Sequence, residues 1–353
     1  MLDAIDKFLQ SAIKLRGHLE GIEQKMAALD DAYILPCVTP PLKNKIDEIR
    51  DKQTGEKIFN YSVTIISLYG YYENFVEALI REYVCELSKT GLQFSSIPSK
   101  LKKSFFKKNI RLSGKITWEK FKHINEKVIS ASLYESLNRD KQNIIPEAFF
   151  TNAGNYKMSV LCSCLGELGI EQVAQKIFRY PDMNLLLNNE YGPGVNLNGI
   201  PTNQFYSKID EVVDRRNVIA HGAKVENILD ITMLKEYIDY FISFSKSLNQ
   251  YVNDTLLEMV WNMLPSQELQ PYNHLPRINV LFFRGYDVEI RKGQKYLCKT
   301  PHGTYPSFIE DSIASVQQNR SEYLHFSLKQ ADPVGVAIRI NHICNVNYKF
   351  KLR

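Results

Sequence analysis

Residues 57–88 read K-I-F-N-Y-S-V-T-I-I-S-L-Y-G-Y-Y-E-N-F-V-E-A-L-I-R-E-Y-V-C-E-L-S and carry the strongest structural signal in the chain. Positions 65, 69, 72, 76, 79, 83 and 87 fall on one stripe at about 100° per residue, which predicts a long amphipathic helix. Glu73 lies on the shoulder of that stripe, beside Ile66, Ile80 and Val84. A carboxylate there must be paired or must line a cleft.

Helical patterns also surround this stretch. Residues 2–32 predict an amphipathic helix that ends at the P-C-V-T-P-P linker of 36–41, and a second helix begins near Leu42 and breaks at Thr54-Gly55. Later helices are expected at 157–170, at 203–221, and from Asp230, a natural N-cap, to about Leu264. We therefore expect an N-terminal helix and linker over 1–41 and a helical domain over 42–265.

The hydrophobic period changes after Pro265. Short apolar runs predict strands at 278–284, 286–291, 294–299, 322–329, 334–340 and 346–352, with the second and third joined through Lys292-Gly293. Ser307 and Glu310 form a capping box, which predicts a helix to about Gln318. Residues 266–353 are therefore expected to form a small basic α+β domain, and the chain as a whole is expected to be mainly α.

Positive charge is concentrated in two places. The chain has a net charge of +5, and residues 272–353 hold twelve Lys/Arg against six Asp/Glu. Residues 100–127, in an expected insertion near 97–150, hold ten Lys/Arg against two Glu, with interspersed aromatic residues. This segment either follows a nucleic-acid backbone or is a solvated helical insertion with a few core anchors. In the first case the RNA contacts would be Lys102, Lys103, Lys107 and Lys108.

The cysteines, the histidines and the N-terminus indicate the cellular compartment and whether a cofactor is expected. The six cysteines have no zinc-site spacing and are interpreted as reduced core residues of a cytoplasmic protein. The seven histidines show no paired ligand spacing, so we expect no metal and no other cofactor. The N-terminus has acids where a signal peptide carries bases, and the chain lacks the run of about 18 apolar residues that a membrane helix needs.

Residues 214–222, D-R-R-N-V-I-A-H-G, carry the candidate chemistry. Metal-free RNA cleavage uses the 2′-hydroxyl of the substrate as nucleophile, so the enzyme must move protons and stabilise charge on the phosphorane. Histidine is the side chain that titrates near neutral pH, which makes His221 a candidate acid or base. Arg216 offers a charged fork to phosphate oxygens, and Asn217 can orient the histidine or donate to an oxyanion.

The spacing of these residues raises a difficulty. Arg216 and His221 are five residues apart, about 140° round an ideal helix, so one rigid helix does not bring them together. Either the helix end unwinds, or the arginine reaches round, or a second copy of the chain completes the site. In a plainer interpretation, His221 beside Gly222 simply ends a helix, and the arginine pairs with Asp214 or Glu73.

R-R-N-V-I-A-H-G resembles the R-N-x-x-A-H-G form of the R-x(4–6)-H motif of the HEPN superfamily. The helix S-L-Y-G-Y-Y-E-N-F-V-E-A-L (67–79) resembles the early HEPN helix with a buried acid. Residues 154–170 resemble the segment before the motif helix in members of the RiboL-PSP type. The resemblance covers roughly 45–260. It implies a HEPN-type helical bundle that dimerises with its two motifs facing across the interface.

The resemblance also implies an activity. Catalytic members are metal-independent endoribonucleases that leave 2′,3′-cyclic phosphate and 5′-hydroxyl ends, and many are toxins or effectors in prokaryotic antiphage defence. Arg216 would bind the phosphate, His221 would be the acid or base, and Asn217 would support them. Glu73 would match the helix acid, and Arg215 is a second basic candidate because it fits the wider R-x5-H spacing. The implied partners are RNA, a second copy, and an antitoxin or phage-derived trigger.

The alternative is a non-catalytic HEPN module that binds RNA, a nucleotide or a partner protein. In that case the basic C-terminal residues could be the functional surface. In an enzyme they would select the target or hold the protein inactive. The complete set of Arg216, Asn217 and His221 favours the enzyme.

Overall fold

The computed structural model describes residues 3–150, 155–223, 227–264, 266–331, 335–342 and 345–353, so Cys344 and the expected boundary at Pro265 lie outside the described residues. The helices of the described residues are α1 (Ala4–Ile34), α2 (Pro40–Gly55), α3 (Lys57–Lys89), α4 (Ser99–Ser113), α5 (Glu126–Asn138), α6 (Met158–Glu167), α7 (Val173–Ile177), α8 (Pro181–Tyr191), α9 (Thr202–Phe205), α10 (Ser207–Ala220) and α11 (Ile231–Met263). Their strands are β1 (Asn273–Leu275), β2 (Val280–Phe283), β3 (Val288–Arg291), β4 (Lys295–Lys299), β5 (Phe308–Ser312), β6 (Ser315–Gln318), β7 (Ser321–Tyr323), β8 (His325–Leu328), β9 (Val336–Arg339) and β10 (Lys349–Leu352).

The chain divides into two compact units, Leu2–Asn249 and Gln250–Arg353, and the division lies inside α11. Within the described residues, the regular elements of the first unit are helices, and the second unit contains the end of α11 and the ten strands β1–β10. The expectation of a mainly α fold with a small C-terminal sheet region is confirmed. None of the helices in the described ranges has the combination of length and apolarity needed to cross a membrane.

α3 is the central helix of the first unit, as its apolar stripe predicts. All seven stripe residues are buried, because the helix packs against α1, α10 and α11 on that side. The ring of Phe75 lies 5.5 Å from that of Phe8 in α1, and the ring of Tyr72 lies 5.1 Å from that of Phe241 in α11. Each large apolar side chain buried in this way contributes about 1.5–3 kcal/mol.

Several predicted helix boundaries agree with the structure, but the helix expected to reach residue 170 ends at Glu167, and the helix expected over 203–221 is divided into α9 and α10. α2 ends at Gly55, and α3 begins two residues later. Asp230 caps α11, since its Oδ1 accepts a hydrogen bond from the backbone N–H of Met233 at 2.8 Å. In the insertion, Phe105 and Phe121 are buried anchors, as one of the two sequence interpretations expects. Phe106 and Trp118 are exposed.

The C-terminal unit contains antiparallel sheets. The strand orders are β1-β2-β9-β6-β7, β10-β4-β5 and β3-β8. β3 and β4 are joined through Lys292-Gly293, as expected, but they do not pair with each other, since β3 pairs with β8 and β4 pairs with β5 and β10. The turn between the two strands is therefore present, but the strands that it joins are not neighbours in a sheet.

The predicted helix at 307–318 is wrong, because β5 and β6 occupy this segment. The carboxylate of Asp254, on α11, accepts hydrogen bonds from the N–H groups of Ser307 and Phe308 at 2.6 and 3.3 Å. Glu310 is paired with Arg353 instead of capping a helix. Tertiary partners therefore overrode the capping-box pattern.

The interpretation of the cysteines is partly wrong. Cys164 and Cys298 are buried, but Cys37 and Cys85 are exposed, and Cys37, Cys85, Cys162 and Cys164 are free thiols. Cys37 lies in the linker between α1 and α2, and Cys85 lies on the outer side of α3. Neither Cys37 nor Cys85 faces a hydrophobic core.

Candidate functional site

The motif lies at the C-terminal end of α10, which stays helical up to the residue before His221. The N–H of His221 donates to the carbonyl of Asn217 at 3.0 Å. Gly222 has φ +67°, and the N–H of Ala223 donates to the carbonyl of Val218 at 3.2 Å, which is the Schellman arrangement. The helix end therefore does not unwind before His221, whose side chain is exposed.

Arg216 is half-buried and points toward α3. Its Nη1 donates to Oδ1 of Asn217 at 3.0 Å, and its guanidinium lies 5.0 Å from the ring centroid of Tyr69. Asp214, one of its two expected partners, is bound by Lys157 at 2.8 Å. Arg216 makes no ion pair with any carboxylate of the described residues. Its charge is oriented by an amide and an aromatic ring, and is available to an anion.

Arg215 has a different environment, although it is the next residue. Its side chain is mostly buried and donates twice to Oε1 of Glu211, at 2.8 and 2.6 Å. Its Nη1 donates to the hydroxyl of Tyr61 at 2.9 Å and to the carbonyl of Asn227 at 2.8 Å. Because Tyr61 belongs to α3, these bonds join α10 to α3. They leave Arg215 few donors for a ligand.

Glu73 is half-buried within electrostatic reach of Arg216. Burial raises its pKa above the ordinary value, and the carboxylate of Glu77 raises that pKa further. Lys120 and Arg216 act in the opposite direction. Lys120 forms its ion pair with Glu77, and Glu73 has no ion pair among the described residues. Glu73 therefore interacts with Arg216 electrostatically and not through an ion pair.

Two contributors to this site, Tyr69 and Lys120, were missed by sequence reasoning. The hydroxyl of Tyr69 accepts a hydrogen bond from the N–H of Tyr156 at 3.2 Å, and burial raises its pKa to about 12. At neutral pH it is therefore a neutral phenol beneath Arg216. Tyr69 lies on the apolar stripe of α3, so the sequence indicated only that it belongs to the core. Lys120 is one of ten Lys/Arg in residues 100–127, and nothing in the sequence distinguished it from the others.

The four candidate lysines of α4 divide into two pairs. Lys102 is bound to the carbonyl of Ser95, and Lys108 is mostly buried and paired with Glu167. Lys103 and Lys107 are exposed. Two of the four side chains are therefore presented to solvent. Within the ranges that the structure describes, no three or more His, Cys, Asp or Glu residues are grouped in a way that could hold a metal ion.

Comparison with known proteins identifies the family. No curated protein and no solved structure gives a significant match. The family model RiboL-PSP-HEPN matches residues 41–254, which is more than half of the chain and includes both Glu73 and the motif of α10. The chain therefore belongs to the RiboL-PSP-HEPN family and carries a HEPN superfamily domain.

Proposed function

We propose that the protein is a metal-independent endoribonuclease. The 2′-hydroxyl of the substrate attacks the adjacent phosphate, which leaves 2′,3′-cyclic phosphate and 5′-hydroxyl ends. Arg216 binds the phosphate oxygens and stabilises the phosphorane, and His221 transfers a proton to or from a reacting oxygen. Asn217 orients Arg216, and Glu73 supports the arginine electrostatically from α3.

The environment of Arg216 carries this proposal. A half-buried guanidinium with an amide and an aromatic ring as its contacts keeps most of its donors for a phosphate. Its neighbour Arg215 has its donors occupied by Glu211, Tyr61 and Asn227. This difference favours the R-x4-H register over the wider R-x5-H register.

The active form in this proposal is a homodimer. α10 is regular between Arg216 and His221, so the two side chains stay about 140° apart on one chain. A second copy, placed with its motif facing the first, would supply His221 to the phosphate held by Arg216. Each dimer would then hold two composite sites.

The cellular setting is part of the same proposal. Free, exposed thiols at Cys37 and Cys85 fit a reducing compartment such as the cytoplasm. There the enzyme would act on RNA as a toxin or an antiphage effector. An antitoxin would restrain it, or a phage-derived trigger would activate it.

The second candidate is a non-catalytic module that binds RNA, a nucleotide or a partner protein. The separation of Arg216 and His221 on one helix favours it if the protein does not pair. It predicts binding without turnover, with an affinity that falls steeply with salt and survives His221→Ala.

Mixed variants test the proposed function. Arg216→Ala and His221→Ala should each reduce RNA cleavage about 100-fold or more, because each removes one half of the catalytic pair. His18→Ala, an exposed histidine on α1, is the matched control and should leave the rate unchanged. Mixing the two inactive variants should restore part of the activity, since the mixed dimer has one intact composite site. Undiminished cleavage by both variants would refute the assignment.

A further inference from the structure

A cavity of about 380 Å³ lies in the first unit, apart from the motif of α10. Three cations line it: Lys108 and Arg111 from α4, and Lys115 from the turn that follows that helix. Ser159 and Ser163 also line it, one turn apart on α6, and both are exposed. Cations and hydroxyls lining one cavity are groups that bind phosphate.

The acids of the cavity neutralise only one of these three cations. Glu167 lines the cavity and is paired with Lys108. Glu147 also lines it and is paired with Arg81. Among the described residues, Arg111 and Lys115 have no ion-pair partner. The cavity therefore has an excess of positive charge.

Lys115 shows the cost of this excess of positive charge. Its Nζ is shielded from solvent and has no hydrogen-bond partner among the described residues. Burial lowers the pKa of Lys115, and repulsion from Arg111 and Lys108 lowers it further. A lysine just after a helix often binds the terminal carbonyls, but this ammonium lies 5.1 Å from the ring centroid of Trp118 instead. An anion between these cations would satisfy the ammonium and relieve the repulsion.

The remaining lining indicates a ligand larger than a free phosphate. Apolar side chains also line the cavity: Leu112, Phe121, Ala148, Phe150 and Val160. The volume falls in the range of small-molecule sites, about 300–1,000 Å³. If a phosphate contacts the cations, the apolar side chains remain free to contact an organic group of nucleoside size.

The cavity adjoins the surface that carries the candidate site. Lys120 lies 5.6 Å from the ring centroid of Phe150, which lines the cavity. The same lysine is paired with Glu77 and acts on the pKa of Glu73. Lys120 therefore connects the lining of the cavity to the surroundings of Glu73.

We propose that this cavity binds the phosphate of a ribonucleotide, either a free mononucleotide or one nucleotide unit of an RNA strand. Lys115 and Arg111 contact the phosphate oxygens, and Ser159 and Ser163 donate hydrogen bonds to them. The apolar side chains of the lining contact the nucleoside. Binding here does not require catalysis at the α10 motif. Failure of the ribonuclease proposal would leave it unaffected.

Calorimetry of the full chain with adenosine 5′-monophosphate, adenosine and a 2′-O-methylated RNA tetramer tests this proposal. Lys115→Met and Arg111→Gln should each weaken binding of a phosphate-bearing probe about tenfold, because each removes a charged contact. Lys127→Met, an exposed lysine on α5 outside the cavity lining, is the matched control and should bind as the wild type does. Thermal unfolding verifies that each variant is folded.

The probes also distinguish the two sources of the phosphate. If the monophosphate binds with this variant pattern and adenosine does not, the cavity takes a free nucleotide. If the pattern is seen with the tetramer alone, the cavity holds a nucleotide of an RNA strand. The proposal is overturned if neither phosphate probe binds, if adenosine binds as well as the monophosphate, or if the two cavity variants match the Lys127→Met control.

Discussion

At the scale of single residues, Arg215 and Arg216 divide two roles between neighbouring positions. Arg215 is bound to Glu211 and to Tyr61, so it holds α10 against α3. Arg216 contacts Asn217 and the ring of Tyr69, and no carboxylate of the described residues pairs with it. One arginine therefore serves the fold, and we assign the next to the substrate.

This division predicts opposite effects of two matched substitutions. Arg215→Ala should lower the free energy of unfolding by about 1–3 kcal/mol, because it removes the hydrogen bonds of a mostly buried side chain to Glu211, Tyr61 and Asn227. Arg216→Ala should change that free energy by less than about 1 kcal/mol and should abolish cleavage. Urea denaturation measures both variants. A larger loss of stability in Arg216→Ala than in Arg215→Ala would contradict the division.

The raised pKa of Glu73 predicts a pH-dependent stability. Burial and Glu77 disfavour its charged form in the folded state, so the carboxyl contributes less to stability as the pH rises through its raised folded-state pKa. Glu73→Gln should therefore be more stable than the wild type at neutral pH. The difference should vanish below the ordinary glutamate pKa of about 4.3, where both states are protonated. Denaturation curves across this pH range would refute the account if the difference were independent of pH.

The sequence allowed prediction of the motif residues because their chemistry is local. Arg216, Asn217 and His221 lie within one helix end, and Gly222 marks that end. Tyr69 could not be assigned to the site, because its contact with Arg216 joins two helices far apart in the chain. The partners of Arg215 were hidden for the same reason.

At the scale of elements, helices were predicted well and strand pairing was not. The apolar stripe of α3 repeats over many turns, so its position and buried face follow from the sequence. The capping box at Ser307 is a short signal, and the N–H of that residue is bound instead by Asp254. In this segment the hydrogen bond from Ser307 to the buried carboxylate of Asp254 outweighs the local preference for a helix.

The role assigned to Asp254 can be measured. Asp254→Ala should lower the free energy of unfolding by about 1–3 kcal/mol, because the N–H groups of Ser307 and Phe308 lose their acceptor. Glu258→Ala, an exposed acid on the same helix, should change it by less than about 0.5 kcal/mol. Equal effects of the two substitutions in urea denaturation would show that Asp254 does not anchor β5.

At the scale of the whole molecule, the RiboL-PSP-HEPN domain gives the chain its class, and the composite site is our proposal for its mechanism. The geometry of α10 leaves Arg216 and His221 on different faces, and in our proposal activity therefore depends on the pairing of two copies. The C-terminal unit lies largely outside the matched residues, and we propose that it selects the target or controls the enzyme.

The chemistry of the RNA ends produced in EDTA tests the central claim most directly. Purified wild-type protein should cleave RNA with the metal chelated and leave 2′,3′-cyclic phosphate and 5′-hydroxyl ends, because the 2′-hydroxyl is the nucleophile. His221→Ala should reduce the yield of these ends about 100-fold or more. No cleavage by the wild type, or ends with a 3′-hydroxyl and a 5′-phosphate, would contradict the account.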